Sequence, residues 1–203
     1  QFRARFAREV HAARTVGGQY TARLVDADTD ATPQWTATEY IPGPTLAEHI
    51  EAHGAMPEDQ VRLLGLGLAE AVAAIHAAGL IHRDLKPSNV ILSAHGPRVI
   101  DFGISKAADA TSLTHTGSQV GSLAWMPPEQ LTGEPVTPGT DMYALGLILA
   151  YAATGTHPFG QGRPEALAFR MVNQTADLAL VPLPLQDLCR HLLATDPRSR
   201  PAP

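Results

Sequence analysis

The segment HRDLKPSN occupies residues 82–89, between a stretch with helical spacing and a short apolar run. Twelve residues after its last position, the triplet DFG begins at residue 101, directly after a second apolar run. Short apolar runs bounded by loop residues predict strands. If these strands are neighbours, their flanking segments bring four polar side chains together: those of Asp84, Lys86, Asn89 and Asp101. The sequence therefore predicts one polar site between two loops.

These four side chains fit the chemistry of phosphoryl transfer. Mg²⁺ prefers hard oxygen ligands, typically one or two carboxylates together with phosphates and water, and Asn89 and Asp101 offer such oxygens. The carboxylate of Asp84 can orient a substrate hydroxyl and accept its proton. Lys86 lies two residues further along an extended loop, on the same side, and supplies a cation for the transferred group. No single one of these residues is diagnostic of phosphoryl transfer, but the four residues together at this spacing are.

Composition narrows the class of protein. The chain has 203 residues, 44% of them hydrophobic, which is enough for one large domain or two modest lobes. Its formal net charge of −5 argues against a nucleic-acid-binding surface. A single cysteine, Cys189, excludes an internal disulfide framework and a thiolate-rich metal site.

The lengths of the apolar runs and the residues at the amino terminus indicate where in the cell the protein is expected. The longest apolar run, at residues 144–153, covers about half of a membrane span of ~20 residues, so we expect no span in this chain. No signal peptide is recognised. We therefore expect a cytoplasmic protein, or a parent anchored through a region outside this chain.

Hydrophobic spacing predicts an α+β chain with a mainly helical carboxyl half. Helices are predicted at residues 2–14, 45–53, 141–154, 164–173 and 185–194, with a further long helix that starts near Pro57 and ends near Gly79. Thr45 is the predicted N-cap of its helix, and the helix at 141–154 is apolar on nearly all sides, which predicts a central position. One stripe of the long helix is apolar and is expected to be buried: Val61, Leu64, Leu68, Val72 and Ile75. Strands are predicted at residues 20–25, 35–40, 90–92 and 98–100. The stiff sequence PGP at residues 42–44 is the best candidate for a boundary between lobes.

The two loops resemble the catalytic loop and the magnesium-binding loop of protein kinases. Three later segments extend the resemblance: PPE at residues 127–129, DMYALG at residues 141–146 and DPRSRP at residues 196–201. They resemble the end of the activation segment, the start of the central helix and a late structural motif of the family. The sequence KPSN and the pair GS at residues 121–122 resemble serine/threonine rather than tyrosine kinases. The Ala- and Arg-rich composition is similar to that of bacterial kinases of this type.

The resemblance implies a two-lobe, protein-kinase-like α+β fold. Residues 1–41 correspond to part of the small lobe and the hinge, and residues 42–203 to the large lobe. In protein kinases a glycine-rich loop and a strand lysine precede the glutamate of the regulatory helix. Glu9 resembles that glutamate. Neither feature precedes Glu9, and the chain stops soon after Arg200. We therefore expect a domain truncated at both ends, with little or no activity of its own.

The resemblance also implies the activity, which is transfer of the ATP γ-phosphoryl group to Ser/Thr hydroxyls of protein substrates. Asp84 orients and deprotonates the hydroxyl, Lys86 steadies the γ-phosphoryl group, and Asn89 and Asp101 hold Mg²⁺.

For the adenine, the resemblance assigns four residues at the hinge and beneath the ring. Thr38 is the gatekeeper, and the backbone of Glu39 and Ile41 faces the base. Ile91 lies under the adenine ring.

Four further residues receive regulatory or supporting roles from the resemblance. Arg83 is expected to clamp a phosphothreonine through charge-assisted hydrogen bonds. Thr114 and Thr116 lie where such threonines are often phosphorylated, including by the kinase itself. Ser122 is expected to contact Asp84 and Lys86 from the substrate side.

Two contacts are implied by the later motifs. Arg200 is expected to pair with Glu129, and Asp141 is expected to brace the backbone of the loop at residues 82–89. Both would fix the large lobe rather than take part in the chemistry.

Two rival functions stay open. A small-molecule phosphotransferase with a related core is disfavoured by PPE at residues 127–129 and by the long Thr-rich segment, because those parts serve peptide substrates. A pseudokinase that works as a binding or scaffold module is favoured only by the missing strand lysine. The intact motifs at residues 82–89 and 101–103 favour the enzyme.

Overall fold

A computed structural model describes residues 2–101 and 121–203, and this part of the chain is α+β with a mainly helical carboxyl half, as predicted. The amino-terminal elements are α1 (Phe2–Ala13), β1 (Leu24–Asp28), β2 (Trp35–Thr38), α2 (Leu46–His53), α3 (Glu58–Ala77), β3 (Val90–Ser93) and β4 (Gly96–Val99). The carboxyl-terminal elements are α4 (Pro128–Thr132), α5 (Pro138–Thr154), α6 (Pro164–Asn173) and α7 (Leu183–Leu192).

Two antiparallel hairpins, β1–β2 and β3–β4, provide the described strands. The first predicted strand, at residues 20–25, is wrong in its position, because β1 begins only at Leu24. The residues before it bond to β4 instead: Val99 N–H donates to Tyr20 O at 2.8 Å, and Ala22 N–H donates to Val99 O at 2.8 Å. The amino-terminal part of the chain is thereby joined to the hairpin that carries the polar loops.

The segment between β2 and α2 passes very close to β3. Gly43 has a φ of 145°, and a Cβ atom there would lie 2.4 Å from Leu92 O, so only glycine fits without a shift of the backbone. Leu92 N–H donates to Pro44 O at 2.9 Å. Thr45 then caps α2 as predicted, with its hydroxyl accepting from Glu48 N–H at 3.2 Å and the Glu48 carboxylate accepting from Thr45 N–H at 2.8 Å. Thr45 N–H and the Thr45 hydroxyl both donate to the Glu48 carboxylate, and these two bonds lower the pKa of Glu48.

The hydrophobic core lies between α3 and α5. The predicted stripe of α3 is buried, and it consists of Val61, Leu64, Leu68, Val72 and Ile75. Helix α5 is buried on nearly all sides, also as predicted, and begins three residues earlier than expected, because Thr137 caps it and Pro138 suits its first turn. Phe6 and Val10 of α1 belong to the same buried cluster. The boundary between residues 1–41 and 42–203 stays a prediction, since one cluster contains side chains from both parts.

Helix α3 is also long and apolar enough to cross a membrane, judged by its 20 residues and their composition, and it alone passes that test within residues 2–101 and 121–203. The run at residues 144–153 is therefore not the best candidate span. Core helices of soluble proteins pass the same test, and the apolar stripe of α3 is buried, so the indication is weak. The absence of a span stays a prediction.

Candidate active site

The β3–β4 hairpin brings the two polar loops together. Val90 pairs with Val99, so Asn89 immediately precedes one strand and Ile100 immediately follows the other. Ile100 N–H donates to Asn89 O at 3.0 Å, which places Asp101 one residue from this bond. Asp101 has an exposed side chain and a φ of 56°, a conformation that is uncommon for a residue with a Cβ atom. Such backbone outliers cluster at functional sites. Phe102 and Gly103, which complete the motif, lie outside the described residues.

Asp141, at the start of α5, holds the backbone of the loop at residues 82–89, as predicted. Its buried carboxylate accepts from His82 N–H at 2.9 Å and from Arg83 N–H at 3.0 Å. Arg83 has a φ of 64°, so these two bonds fix a loop conformation that the residue rarely adopts by itself. The ring of His76 lies 2.8 Å from the same carboxylate. His76 carried no signal in the sequence, because its partner is 65 residues away.

Asp84, Lys86 and Ser122 form one connected group. The ammonium group of Lys86 donates to the Asp84 carboxylate at 3.0 Å and to the Ser122 hydroxyl at 2.8 Å. Ser122 belongs to a 3₁₀ turn, Gly121–Trp125, that precedes α4. The predicted contact of Ser122 with Lys86 is thus present, and Lys86 links the hydroxyl to Asp84. A carboxylate, an ammonium group and a serine hydroxyl therefore lie side by side.

Asn89 is oriented so that its side-chain oxygen is available as a ligand. Its amide nitrogen donates to Asp84 O at 2.8 Å, which leaves Oδ1 as the remaining polar atom of the buried side chain. With the exposed carboxylate of Asp101, this gives two hard oxygen donors, which fits Mg²⁺. In residues 2–101 and 121–203 no three His, Cys, Asp or Glu side chains converge on a possible metal site. The residues therefore fit an ion that takes its remaining ligands from phosphate and water.

The residues expected at the adenine lie along the segment that joins β2 to α2. Ile41 is buried and Ile91 of β3 is partly buried, and Ile91 forms a bridge with Thr45. Glu39 N–H donates to Arg23 O at 2.9 Å. The Glu39 carboxylate forms a short ion pair with Arg98, a residue that sequence reasoning missed. The side chain of Glu39 is thus used within the protein, and the contact of its backbone with adenine stays a prediction.

Glu9 and Arg83 lie together at a basic cleft. Their charged groups are 3.8 Å apart, and burial raises the pKa of Glu9 against the opposing effect of Arg83. Arg5 and Arg8 of α1 join them in lining a cleft of about 390 Å³. Thr114 and Thr116 lie outside the described residues, so the phosphothreonine clamp stays a prediction.

The pair between Arg200 and Glu129 is present and buried. Two parallel bonds of 2.7 Å and 3.0 Å join the guanidinium to the carboxylate. The same guanidinium stacks on the ring of Tyr143, with 4.7 Å to the ring centroid. This bidentate pair links the end of the chain to α4.

A family profile described as "Protein kinase domain" matches residues 1–203. The probable serine/threonine-protein kinase PkwA of Thermomonospora curvata is 45% identical over 201 residues, which cover 99% of this chain and 27% of that protein. The serine/threonine-protein kinase AfsK of Streptomyces griseus is 47% identical over 204 residues, covering 98% of this chain and 25% of that protein. The AfsK protein of Streptomyces coelicolor is 46% identical over 203 residues, with 100% and 25% covered.

The chain thus spans about a quarter of the length of these relatives. The match nevertheless extends over every residue of the chain, including both polar loops. The chain belongs to the protein kinase family, among the bacterial serine/threonine kinases.

Proposed function

We propose that the protein containing this chain transfers the γ-phosphoryl group of ATP to serine and threonine hydroxyls of protein substrates. The observation that carries the proposal is the contact of Lys86 with both Asp84 and Ser122, beside the paired ends of β3 and β4. This arrangement unites a proton acceptor, a cation and two oxygen ligands within neighbouring loops.

In the proposed reaction, the substrate hydroxyl approaches the carboxylate of Asp84. The hydroxyl oxygen forms a bond to the γ-phosphorus, the bond to the β–γ bridging oxygen breaks, and ADP leaves. Asp84 orients the hydroxyl and takes its proton, and Lys86 stabilises negative charge on the phosphoryl oxygens. Asn89 and Asp101 would hold Mg²⁺, which when bound neutralises charge on the phosphates.

The same proposal covers nucleotide binding. The backbone of Glu39 and Ile41 would contact the adenine, with Ile91 beneath the ring. Ile41 is buried, and residues 43–45 lie against β3, which supports a fixed position of this segment beside Ile91.

Regulation and location belong to the proposal too. Phosphorylation of Thr114 or Thr116, including by the enzyme itself, would give Arg83 an anionic partner in place of Glu9. The acidic net charge of −5 supports protein rather than nucleic acid as the macromolecular partner. We propose a cytoplasmic site of action for this domain, where ATP is available.

The test is a phosphorylation assay with γ-³²P-labelled ATP and Mg²⁺ on the protein as its gene encodes it, with myelin basic protein as probe substrate. We expect incorporation into serine or threonine, lost in Asp84→Asn and Asp101→Ala with folding largely unchanged. Asp187→Asn, a change of an exposed carboxylate on α7, is the matched control and should keep full activity. Full activity in Asp101→Ala would mean that the metal site is misplaced. ATP binding without any transfer by the unmodified protein would favour the scaffold alternative.

A further inference from the structure

His157 lies in the loop after α5, and its ring is bonded to the 3₁₀ turn that carries Ser122. Ring nitrogen Nε2 is 2.8 Å from Ala124 O, and Nδ1 accepts from Phe159 N–H at 3.2 Å. Because a backbone N–H can only donate, Nδ1 must be the unprotonated nitrogen. The proton therefore lies on Nε2, which donates to the Ala124 carbonyl group.

Aromatic packing adds to this bond. The ring of Trp125 meets the His157 ring edge-on, with centroids 4.9 Å apart, and meets Tyr151 of α5 in the same way at 5.2 Å. Burial lowers the pKa of His157 to about 4, and the positive charge of Arg170 acts in the same direction. The ring thus stays neutral and keeps its single donor at neutral pH.

The loop that carries His157 is itself well held. The guanidinium of Arg170 donates to the carbonyl groups of Phe159 and Gln161. Asp177 N–H donates to Pro158 O at 2.8 Å. His157 is therefore anchored to α6 and to the segment before α7, so its ring is a fixed point rather than a mobile surface group.

The other end of the turn contacts the catalytic loop. The Ser122 hydroxyl accepts from Lys86 at 2.8 Å, and Lys86 reaches the Asp84 carboxylate at 3.0 Å. A polypeptide that presents a hydroxyl to Asp84 must therefore run beside the turn Gly121–Trp125. The start of α5 holds the catalytic loop through Asp141, and the loop after the same helix holds the turn through His157. One buried helix thus fixes both the catalytic loop and the turn Gly121–Trp125.

We propose that His157 is a positioning residue for the protein substrate, which fixes the turn Gly121–Trp125 through the Ala124 carbonyl so that Ser122 stays against Lys86. This inference rests on the proposed kinase activity. Loss of the ring nitrogens should loosen the turn and weaken productive binding of the protein substrate. The nucleotide should be unaffected, because the expected adenine residues lie on β3 and in the segment before α2, and the expected metal residues flank the β3–β4 hairpin.

The experiment compares His157→Phe, which keeps an aromatic ring without nitrogens, with His157→Gln, whose amide NH₂ can donate from about the Nε2 position. The protein as its gene encodes it is assayed with myelin basic protein and with ATP as the varied substrates. For His157→Phe we expect KM for the protein substrate to rise about fivefold to tenfold, as expected for the loss of the one hydrogen bond that holds the turn. The other lost bond, from Phe159 N–H, lies within the loop that carries His157. KM for ATP should change less than twofold, and His157→Gln should recover most of the loss.

His191→Phe is the matched control. The His191 ring also contacts a backbone carbonyl, that of Asp187 at 2.8 Å, but within its own helix α7 and away from the turn. It should behave as the unmodified protein. An equal rise of KM for ATP and for the protein substrate in His157→Phe, or no recovery in His157→Gln, would overturn the inference.

Amide hydrogen exchange tests the same contact without activity. The backbone amides of residues 122–126 should exchange at least tenfold faster in His157→Phe than in the unmodified protein, with α3 unchanged. If His157→Phe does not fold, His157→Asn takes its place: its shorter amide can still accept from Phe159 N–H but does not reach the Ala124 carbonyl group, so residues 122–126 should again exchange faster. Unchanged exchange at residues 122–126 would refute the role of His157, whereas an unmodified protein without phosphoryl transfer would refute only the proposed function.

Discussion

Replacing Arg200 with alanine should strongly destabilise the domain. The guanidinium and the Glu129 carboxylate are almost completely shielded from water, with side-chain exposures of 0% and 2%. Arg200→Ala leaves a buried carboxylate without its partner, which costs about 3–5 kcal/mol. The variant also leaves three carbonyl groups without their donor, those of Ala194, Gly139 and Thr195. A domain of typical stability, ~5–15 kcal/mol, would lose a large share of it.

The assay is thermal and urea unfolding, with Arg198→Ala as the matched control. Arg198 lies two residues earlier and pairs with Asp196, but its side chain is 90% exposed. Surface pairs of this kind contribute little, so Arg198→Ala should unfold as the unmodified protein does. For Arg200→Ala, the expected loss corresponds to a fall in Tm of roughly 6–20 °C for a domain of this size. A fall below about 2 °C, or equal losses in the two variants, would refute the assignment of this pair as a buried structural link.

Two further predictions concern the pH dependence of stability and the effect of adding a Cβ atom at Gly43 or Gly17. The pKa of His157 is about 4 in the folded protein, whereas its ordinary value is 6.5. Between these two pH values the unfolded chain therefore binds more protons than the folded protein. The contribution of this residue to stability is complete above pH 6.5 and declines as the pH falls toward 4. Urea unfolding of the unmodified protein across this pH range should show the free energy of unfolding decline with a slope of up to about 1.4 kcal/mol per pH unit, and His157→Gln should show a smaller slope. Identical pH profiles of stability for the two proteins would contradict the shifted pKa. Gly43→Ala should cost about 2 kcal/mol or more, because its Cβ would lie 2.4 Å from Leu92 O, whereas Gly17→Ala, with no atom within 4 Å of the new Cβ, should be nearly neutral. Equal urea midpoints for the two alanine variants would show that β3 can move away.

The sequence predicted best the features of this fold that depend on residues close together in the chain. The cap at Thr45 and the buried stripe of α3 depend on residues a few positions apart, which periodicity reports directly. The polar site was predicted because its loops flank strands that are only a short hairpin apart. The contact of Arg200 with Glu129 came from the family resemblance, since 71 residues separate them.

Contacts between distant segments explain what was missed. Residues before β1 form hydrogen bonds with β4 and do not extend the first hairpin. The N–H and carbonyl groups of Val99 provide the partners for these bonds. His76, Arg98 and His157 find their partners 65, 59 and 33 residues away. Hydrophobic spacing contains no information about such pairings, so these supporting residues become visible only once the chain is folded.

The proposed phosphoryl transfer depends on Asn89 and Asp101 holding the same Mg²⁺ beside ATP. The most direct measurement is a double-mutant cycle on the affinity of the ATP-bound protein for Mg²⁺, by calorimetric titration of the unmodified protein, Asn89→Ala, Asp101→Ala and the double variant. Each single change should weaken binding at least tenfold, and the double variant should lose clearly less than the product of the two single losses, because either change alone already disrupts the shared ion. Unchanged affinity in either single variant, or losses that multiply exactly as for independent sites, would contradict a common metal at these two loops.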